Sequence, residues 1–270
     1  MARPFDQLTP ALTRLGPPPS EAKREVLFIH GAWGGAWVWE GLAEAVAAAG
    51  YGVNLIEQPG HGEDRWDLPW STSINDYADN SRRAAASLDN PVLVGHSLGG
   101  WQVQKLWEAV DLPGVLLAPL PRTGLPQVNF TLLTLRYPLQ MLKPMILHPV
   151  AVKDPAMARH LFYKDLDQAA VAERWARLVP EPARICLQMA LFLGLGFSRP
   201  QPRPGKEPRL LVAPELDYFF PPKVQQKLAQ DLGARYVELE GLPHELWSED
   251  PEGRVLALLL EFLDSLEQKK

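Results

Sequence analysis

The sequence predicts an α/β fold with a mostly parallel central sheet, and two observations carry that prediction. Short runs that are almost continuously apolar, as in strands covered on both faces, alternate with stretches of helical periodicity. Two of the helical stretches stop on a glycine, Gly50 and Gly233, which is the residue that most often closes a helix. Regular strand–helix alternation of this kind implies parallel strands joined by crossover helices.

Six strands are predicted, each followed by a turn or a helical pattern. They are "VLFIH" (26–30), "GVNLIE" (52–57), "PVLVG" (91–95), "GVLLA" (114–118), "RLLVA" (209–213) and "RYVELE" (235–240). The predicted helices between and after them span 37–49, 74–88, 97–110, 222–232 and 253–263.

Two regions depart from the alternation. Residues 1–24 end in the proline-rich "GPPPS" and are predicted to be an N-terminal extension, with a short helix that would use Phe5, Leu8, Leu12 and Leu15. Residues 119–200 are helical and apolar with no strand signal, and a stiff proline-rich connector follows. We expect 119–200 to be a helical cap, inserted between core segments 25–118 and 201–270, although a set of extra helices without function is the alternative.

Composition excludes several classes of function. A net charge of −5 and a pI near 5.7 give no basic field for nucleic acid or an anionic membrane. No apolar run is long enough to cross a bilayer, and the first residues lack the apolar stretch of a signal peptide. The single cysteine, Cys186, excludes an internal disulfide and a cysteine-based metal cluster. These features predict a soluble cytoplasmic protein that binds no metal.

The stretch "VLVGHSLGGW" contains a candidate nucleophile, Ser97. A strand precedes it, a helical pattern follows it, and Gly95 and Gly99 complete a G-x-S-x-G motif. Such a sharp strand-to-helix turn exposes the serine and places it at a helix N-terminus, where free N–H groups can stabilise an oxyanion. The alternative is a glycine-rich turn without chemistry.

A serine nucleophile needs a base, and the base needs an orienting acid. Of the six histidines, His244 follows the last strand, in a loop that can reach the serine. Glu215 and Asp217 compete for the acid in "PELDYFFPP", and Asp217 is preferred because the aromatic and proline neighbours predict a fixed, partly buried turn. The order Ser97, Asp217, His244 is that of an α/β-hydrolase and leaves room for a cap before the acid.

The loop "HGAWGGAWVWE" (30–40) follows the first core strand and is rich in glycine. Its backbone can approach a ligand closely, so the N–H of Ala32 is the natural second oxyanion donor beside that of Leu98. Trp33 is expected to line the substrate pocket. A glycine–tryptophan packing turn is the alternative.

Together these segments resemble the α/β-hydrolase superfamily. The features that match are "HG" (30–31), "PGHG" (59–62), "GHSLGG" (95–100), the Asp217 loop and "PHELWSEDPE" (243–252). The loop at 30–40 is similar to the H-G-A-x-x-G-x-W-x-W segment of the plant methyl esterase and hydroxynitrile lyase branch. The resemblance implies an acyl-enzyme at Ser97, with Ala32 and Leu98 as oxyanion donors and without a metal or organic cofactor.

The function expected from this pattern is hydrolysis of carboxylic esters. Cofactor-free C–C hydrolysis and perhydrolysis use the same motif and stay open. A hydroxynitrile lyase is disfavoured because Gly31 and Glu245 stand where that branch has threonine and lysine. A non-catalytic ligand receptor is disfavoured by the complete set of catalytic residues.

The apolar composition of 130–152 and 185–197 predicts a cavity above Ser97 that is lined by the cap. We therefore expect the substrate to be a small neutral ester with a short to medium acyl chain. The alternative is that these residues pack the cap onto the core or onto a second subunit, which would leave a narrow, acetyl-sized pocket.

Overall fold

The computed structural model describes residues 9–62, 68–191 and 199–268. Within these residues, seven strands form one sheet in the order β1-β3-β2-β4-β5-β6-β7. Every neighbouring pair is parallel except β1 and β3, which are antiparallel. The strands are β1 (Ala11–Leu15), β2 (Glu25–Ile29), β3 (Gly52–Glu57), β4 (Val92–His96), β5 (Gly114–Leu117), β6 (Arg209–Pro214) and β7 (Arg235–Leu239). The mostly parallel sheet predicted from the apolar runs is confirmed.

Strand β1 corrects the expectation of a short N-terminal helix, which was wrong for Leu12 and Leu15. This segment pairs antiparallel with β3 at the edge of the sheet. Arg14 anchors it by donating two hydrogen bonds, of 2.5 and 2.9 Å, to the carboxylate of Glu25. These contacts are distant in sequence and override the local helical spacing. Phe5 and Leu8 lie outside the described residues.

The helices begin close to the predicted positions. The helix expected over 37–49 is divided into a 3-10 turn (Ala36–Trp39) and α1, because Gly41 between them has a φ of 83°. The α-helices are α1 (Leu42–Ala48), α2 (Ile74–Ala86), α3 (Leu98–Leu106), α4 (Gln127–Arg136), α5 (Pro138–Leu142), α6 (Pro155–Phe162), α7 (Gln168–Arg177), α8 (Ala183–Leu191), α9 (Pro222–Leu232) and α10 (Arg254–Glu267).

Alternate residues of the strands pack into two cores, one on each face of the sheet. Val26 and Phe28 of β2 pack with residues of α1 and α10. Leu27 and Ile29 pack on the opposite face with residues of α2, α3 and α9. The sheet is therefore covered on both sides, which explains why its central strands are apolar throughout.

Helices α4 to α8 lie between β5 and β6 in the chain, in the segment predicted to be the cap. Their buried side chains, including Leu133, Met157, Phe162 and Ile185, form a third cluster with Trp101 of α3 and with Phe219. This cluster positions the cap beside the turn that follows β4. That residues 119–200 form a domain of their own remains a prediction. No helix in the described ranges is long and apolar enough to cross a membrane.

Candidate active site

Ser97 occupies the tight turn between β4 and α3, in a backbone conformation that is unusual for a side chain. Its φ is 51° and its ψ is −117°, and it precedes the first residue of α3. A Cβ on Gly95 would lie 2.6 Å from the carbonyl oxygen of Gly99, and one on Gly99 would lie 2.0 Å from that of Ile29. Glycine is therefore required on both sides of the serine, which is the physical content of the G-x-S-x-G motif.

His244 and Asp217 are joined by a hydrogen bond. The Nδ1 atom of His244 lies 3.0 Å from Oδ2 of Asp217, and both side chains are buried. The other oxygen of Asp217 accepts hydrogen bonds from the backbone N–H groups of Phe219 and Phe220, at 2.8 and 3.1 Å. Asp217 is thus held by the turn whose aromatic neighbours suggested it. The competing acid, Glu215, accepts a hydrogen bond from the N–H of Gly241 instead.

The imidazole of His96 braces the loop that carries His244. Its Nε2 atom lies 3.1 Å from the carbonyl oxygen of His244, so Nε2 carries the proton and donates. Burial, followed by the nearby charge of His244, holds the pKa of His96 well below its usual value. His96 is consequently a neutral positioning group.

The predicted oxyanion loop, residues 30–40, follows β2 and lies directly against the serine. A Cβ on Gly31 would come within 3.0 Å of the Cβ of Ser97. Ser97 and His244 line one small cleft together with Ala32 and Trp33. Leu98, the other predicted donor, is the buried first residue of α3. The structure therefore brings all six residues predicted from the sequence to one place.

Trp33 has a left-handed backbone, with a φ of 62°, and the cap holds it there. Its N–H donates to the carboxylate of Glu181 at 2.9 Å, and its indole N–H donates to the carbonyl of Val150 at 2.8 Å. Its own carbonyl accepts from the N–H of Val179 at 2.9 Å. Three hydrogen bonds to the cap therefore fix the conformation of the oxyanion loop.

Glu181 also binds His61 and Tyr77, and sequence reasoning missed this cluster. Its carboxylate lies 3.2 Å from Nε2 of His61 and accepts from the hydroxyl of Tyr77 at 3.0 Å. Burial would lower the pKa of His61, but the charge of Glu181 raises it above the usual value. Burial would raise the pKa of Glu181, but His61 and the hydrogen bonds from Trp33 and Tyr77 lower it. The two groups therefore form a buried ion pair between the cap and the loop after β3.

The signal that could have identified Glu181 is weak. It is an acid between two prolines in "LVPEPARI", just before an apolar helix. His61 lies in the "PGHG" segment (59–62), whose pattern indicates no function for the histidine. Their separation of 120 residues makes the pairing invisible to local patterns.

Glu245, the residue after the candidate base, is also buried. It accepts hydrogen bonds from Arg174 of α7 at 2.5 Å and from the hydroxyl of Tyr163 at 3.3 Å. Burial raises the pKa of Glu245 to about 7, although Arg174 opposes the shift. Residues of the predicted cap thus contact the loop that carries His244 as well as the loop that follows β2.

A cavity of about 390 Å³ opens beside Ser97. Its walls are almost entirely apolar and come from α4, α5 and α8 of the cap and from the Asp217 loop. Residues that line it include Ala32, Trp33, Leu125, Phe130, Leu133, Gln140, Met141, Met145, Cys186, Met189, Phe219 and Phe220. The thiol of Cys186 is free and buried, and burial raises its pKa well above the usual value. Residues 192–197, which were also expected near this cavity, lie outside the described residues.

The described part of the chain contains no group of three or more histidine, cysteine, aspartate or glutamate residues that could hold a metal ion. The chemistry that the cleft can perform with its own side chains is nucleophilic attack by a serine that a histidine and an aspartate assist.

Known proteins are similar to this chain in sequence and in fold. The sequence matches the alpha/beta hydrolase family over residues 26–258. A pheophorbidase from Raphanus sativus is 27% identical over 225 residues, which cover 76% of this chain and 80% of the relative. A pFDCC methylesterase from Arabidopsis thaliana is 27% identical over 232 residues, which cover 76% of this chain and 81% of the relative. The predicted resemblance to plant methyl esterases is confirmed.

Solved structures give the same fold at low identity. A methylesterase from Arabidopsis has a TM-score of 0.67 and 20% identity, and the match covers 89% of this chain and 99% of that chain. A bromoperoxidase from Bacillus anthracis has a TM-score of 0.69 and 18% identity, with 96% and 98% covered. Both support the fold, and at such identities neither decides the reaction.

Proposed function

Because this chain belongs to the alpha/beta hydrolase family, we propose that it hydrolyses neutral carboxylic esters with Ser97, His244 and Asp217 as a catalytic triad. The observation that carries the proposal is the buried hydrogen bond from His244 to Asp217, with His244 and Ser97 lining one cleft. The methylesterase and esterase names of several relatives support the same reaction class.

In the first half of the reaction, His244 takes the proton of the Ser97 hydroxyl at Nε2 while Oγ attacks the ester carbonyl carbon. The negative charge that develops on the carbonyl oxygen is stabilised by the N–H groups of Ala32 and Leu98. The C–O bond to the alcohol then breaks, and the alcohol leaves with the proton from His244. Asp217 keeps the imidazole in the required tautomer and stabilises its charged form.

In the second half, His244 removes a proton from water, which attacks the acyl-enzyme carbonyl. The same N–H groups stabilise the oxyanion. Breakage of the bond to Oγ releases the acid, and the proton returns to Ser97. Each step uses groups that line the cleft or support it, and no metal or organic cofactor takes part.

The apolar cavity supports a neutral, apolar acyl or alcohol group in the substrate. Such a group is held by hydrophobic contact, which contributes about 0.8 kcal/mol per buried methylene. A charged substituent would lose hydration on entry without gaining a partner of opposite charge. Methyl esters of apolar acids are therefore suitable first substrates.

Fluorophosphonate labelling combined with a substrate panel tests the proposal. We expect stoichiometric labelling of the wild-type chain on Ser97 and none of Ser97→Ala, together with hydrolysis of p-nitrophenyl and methyl esters. Labelling of Ser97 without hydrolysis of any ester, but with cleavage of a dienone or with perhydrolysis, would replace the esterase assignment by one of those activities.

A further inference from the structure

The outer surface of α4, α5 and the 3-10 turn Lys143–Ile146 is strongly apolar and exposed. Eight of the eleven exposed large apolar side chains of the described residues lie between 128 and 147. The outer apolar face, as we call it, consists of Val128, Leu132, Leu135, Leu139, Met145 and Ile146, whose exposed fractions range from 48% to 78%. A group of exposed apolar side chains of this size usually marks a surface that binds a partner.

Helix α4 is apolar on both of its sides. Phe130 and Leu133 line the cavity, whereas Val128, Leu132 and Leu135 recur at i, i+4 and i+7 on the exposed side. Gln127, Thr131 and Arg136 are exposed as well, but apolar side chains on the solvent side of a helix give it an area that a partner can cover. The hydroxyls of its two threonines also donate to carbonyls of the same helix, at 2.9 and 2.8 Å, which reduces their need for water.

The charge of this segment differs from that of the chain as a whole. Between Asp111 and Asp154 the sequence contains four Lys or Arg residues and not a single Asp or Glu. Two of the four, Arg136 and Lys143, lie within the segment that carries the outer apolar face. The net charge of −5 argued against an anionic membrane as partner, but the acidic residues lie elsewhere. Apolar side chains flanked by cations are the composition of helices that lie in an anionic lipid interface.

We propose that the outer apolar face docks this protein on an anionic lipid surface. Helices α4 and α5 would lie in the plane of the interface, with their apolar side chains among the acyl chains and Arg136 and Lys143 at the headgroups. Met145 is 69% exposed and also lines the cavity, so the docked face adjoins the site. Delivery of apolar esters from the lipid to Ser97 rests on the proposed function, whereas docking itself does not.

A second copy of this chain could cover the same face, but its charge makes that partner less suitable. In a two-fold symmetric dimer, the same patch meets itself. Arg136 and Lys143 would then face their own equivalents without acidic residues from this segment to offset them. An anionic lipid surface supplies the opposite charge, which is why it is the occupant proposed here.

Sedimentation with vesicles tests the proposal. The wild-type chain is mixed with phosphatidylcholine vesicles that contain or lack phosphatidylserine, and the bound fraction is measured. We expect binding to the vesicles with phosphatidylserine, and at least a tenfold weaker partition for Leu135→Glu/Leu139→Glu. Val110→Glu, a substitution at an exposed apolar residue between α3 and β5 and outside this face, should bind as the wild type does. Arg136→Gln/Lys143→Gln should lose the preference for phosphatidylserine.

Two further measurements separate the possible outcomes. In Leu139→Cys, an environment-sensitive dye can be attached to the new cysteine alone, because the single native cysteine, Cys186, is buried. The emission of the dye should shift to the blue when the protein binds vesicles. Ser97→Ala should bind vesicles normally, so failure of the esterase proposal leaves docking intact. Equal vesicle binding by the wild type and Leu135→Glu/Leu139→Glu would overturn docking. Absence of wild-type binding to the vesicles would also overturn docking. If the wild type were then a dimer that Leu135→Glu/Leu139→Glu dissociates, a second copy of the chain would be the partner of this face.

Discussion

In the proposed mechanism, Ser97 is an effective nucleophile only when His244 and Asp217 act with it. A serine hydroxyl is hardly ionised near neutral pH, so loss of the base or of the nucleophile removes almost the whole rate enhancement. We expect Ser97→Ala and His244→Ala each to lower kcat/KM for a p-nitrophenyl ester by about 10⁴-fold or more. Asp217→Asn should lower it heavily but less than Ser97→Ala does.

Thermal unfolding of each variant is the control, since the three side chains lie in or beside the buried core. Glu215→Gln is the matched variant, because Glu215 lies two residues before Asp217 and binds the N–H of Gly241 rather than His244. It should keep most of the activity. Near-normal kcat/KM for Asp217→Asn would show that the acid of the triad lies elsewhere.

Some residues of the candidate site could be predicted from the sequence and others could not. Ser97 and its glycines follow from local sterics, because the turn itself requires small neighbours. Asp217 could be preferred over Glu215 because its aromatic and proline neighbours indicated a fixed turn. Glu181 could not be found, because its partners lie far along the chain and nothing local distinguishes a buried carboxylate from a surface one.

At the level of elements, the cap helices form much of the cavity wall, so substitutions in them can test the length of acyl chain that the cavity accepts. Met141 of α5 lines the cavity, whereas its neighbour Leu142 is 53% exposed. For the wild type, kcat/KM should rise with acyl length from acetate, since each buried methylene contributes about 0.8 kcal/mol, and then fall once the cavity is full. Met141→Trp should move the maximum to a shorter chain.

Leu142→Trp is the control for that series, because it adds the same ring on the outside of the same helix. Its profile from p-nitrophenyl acetate to laurate should follow the wild type. A wild-type profile that declines steadily from acetate would show that the cap packs onto the core and leaves only a narrow pocket, which is the alternative raised by the sequence.

Strands and helices differ in how well they could be predicted. Strands β2 to β7 were predicted to within one residue at each end. Burial on both faces makes β2 to β6 almost continuously apolar, whereas β7 lies at an edge and is only partly buried. Strand β1 was missed because the spacing of its leucines also suits a helix, and its identity as a strand depends on pairing with β3. The division of 37–49 depends on the positive φ of Gly41, which the helical spacing of its neighbours concealed.

For the molecule as a whole, a mechanism that uses only groups of the chain itself predicts that chelators do not affect activity. The expected result is that dialysis against EDTA leaves kcat/KM unchanged and that added Zn²⁺ or Mg²⁺ does not increase it. Loss of activity in EDTA that a divalent ion restores would contradict the proposed mechanism, whatever the variants of the triad show. Thermal unfolding with and without EDTA checks that the chelator does not act on the fold.

The ion pair of Glu181 and His61 joins the cap, the oxyanion loop and the loop after β3, so its titration should affect the stability of the whole molecule. The pKa of Glu181 is lowered, so its contribution is present above its usual value of 4.5 and is lost as the pH falls through the lowered one. The pKa of His61 is raised, so its contribution is present below its usual value of 6.5 and is lost as the pH rises through the raised one. The pair therefore stabilises the fold most between these two usual values.

Glu181→Gln keeps the shape of the side chain but removes the carboxylate that is hydrogen-bonded to buried His61, and leaves only the weaker effect of the Glu57 charge. Breaking such a pair typically costs about 3 to 5 kcal/mol, and we expect a loss in the free energy of unfolding near the lower end of that range at about pH 5.5. At about pH 9 His61 binds its proton less in the wild type as well, so the difference between the two proteins should shrink. Glu40→Gln, which breaks an exposed pair with Arg177, should change the free energy of unfolding by less than about 1 kcal/mol at either pH. Urea unfolding of the three proteins at both pH values tests this expectation. An equal loss for Glu181→Gln at the two pH values would contradict it, because it would mean that His61 does not titrate between them.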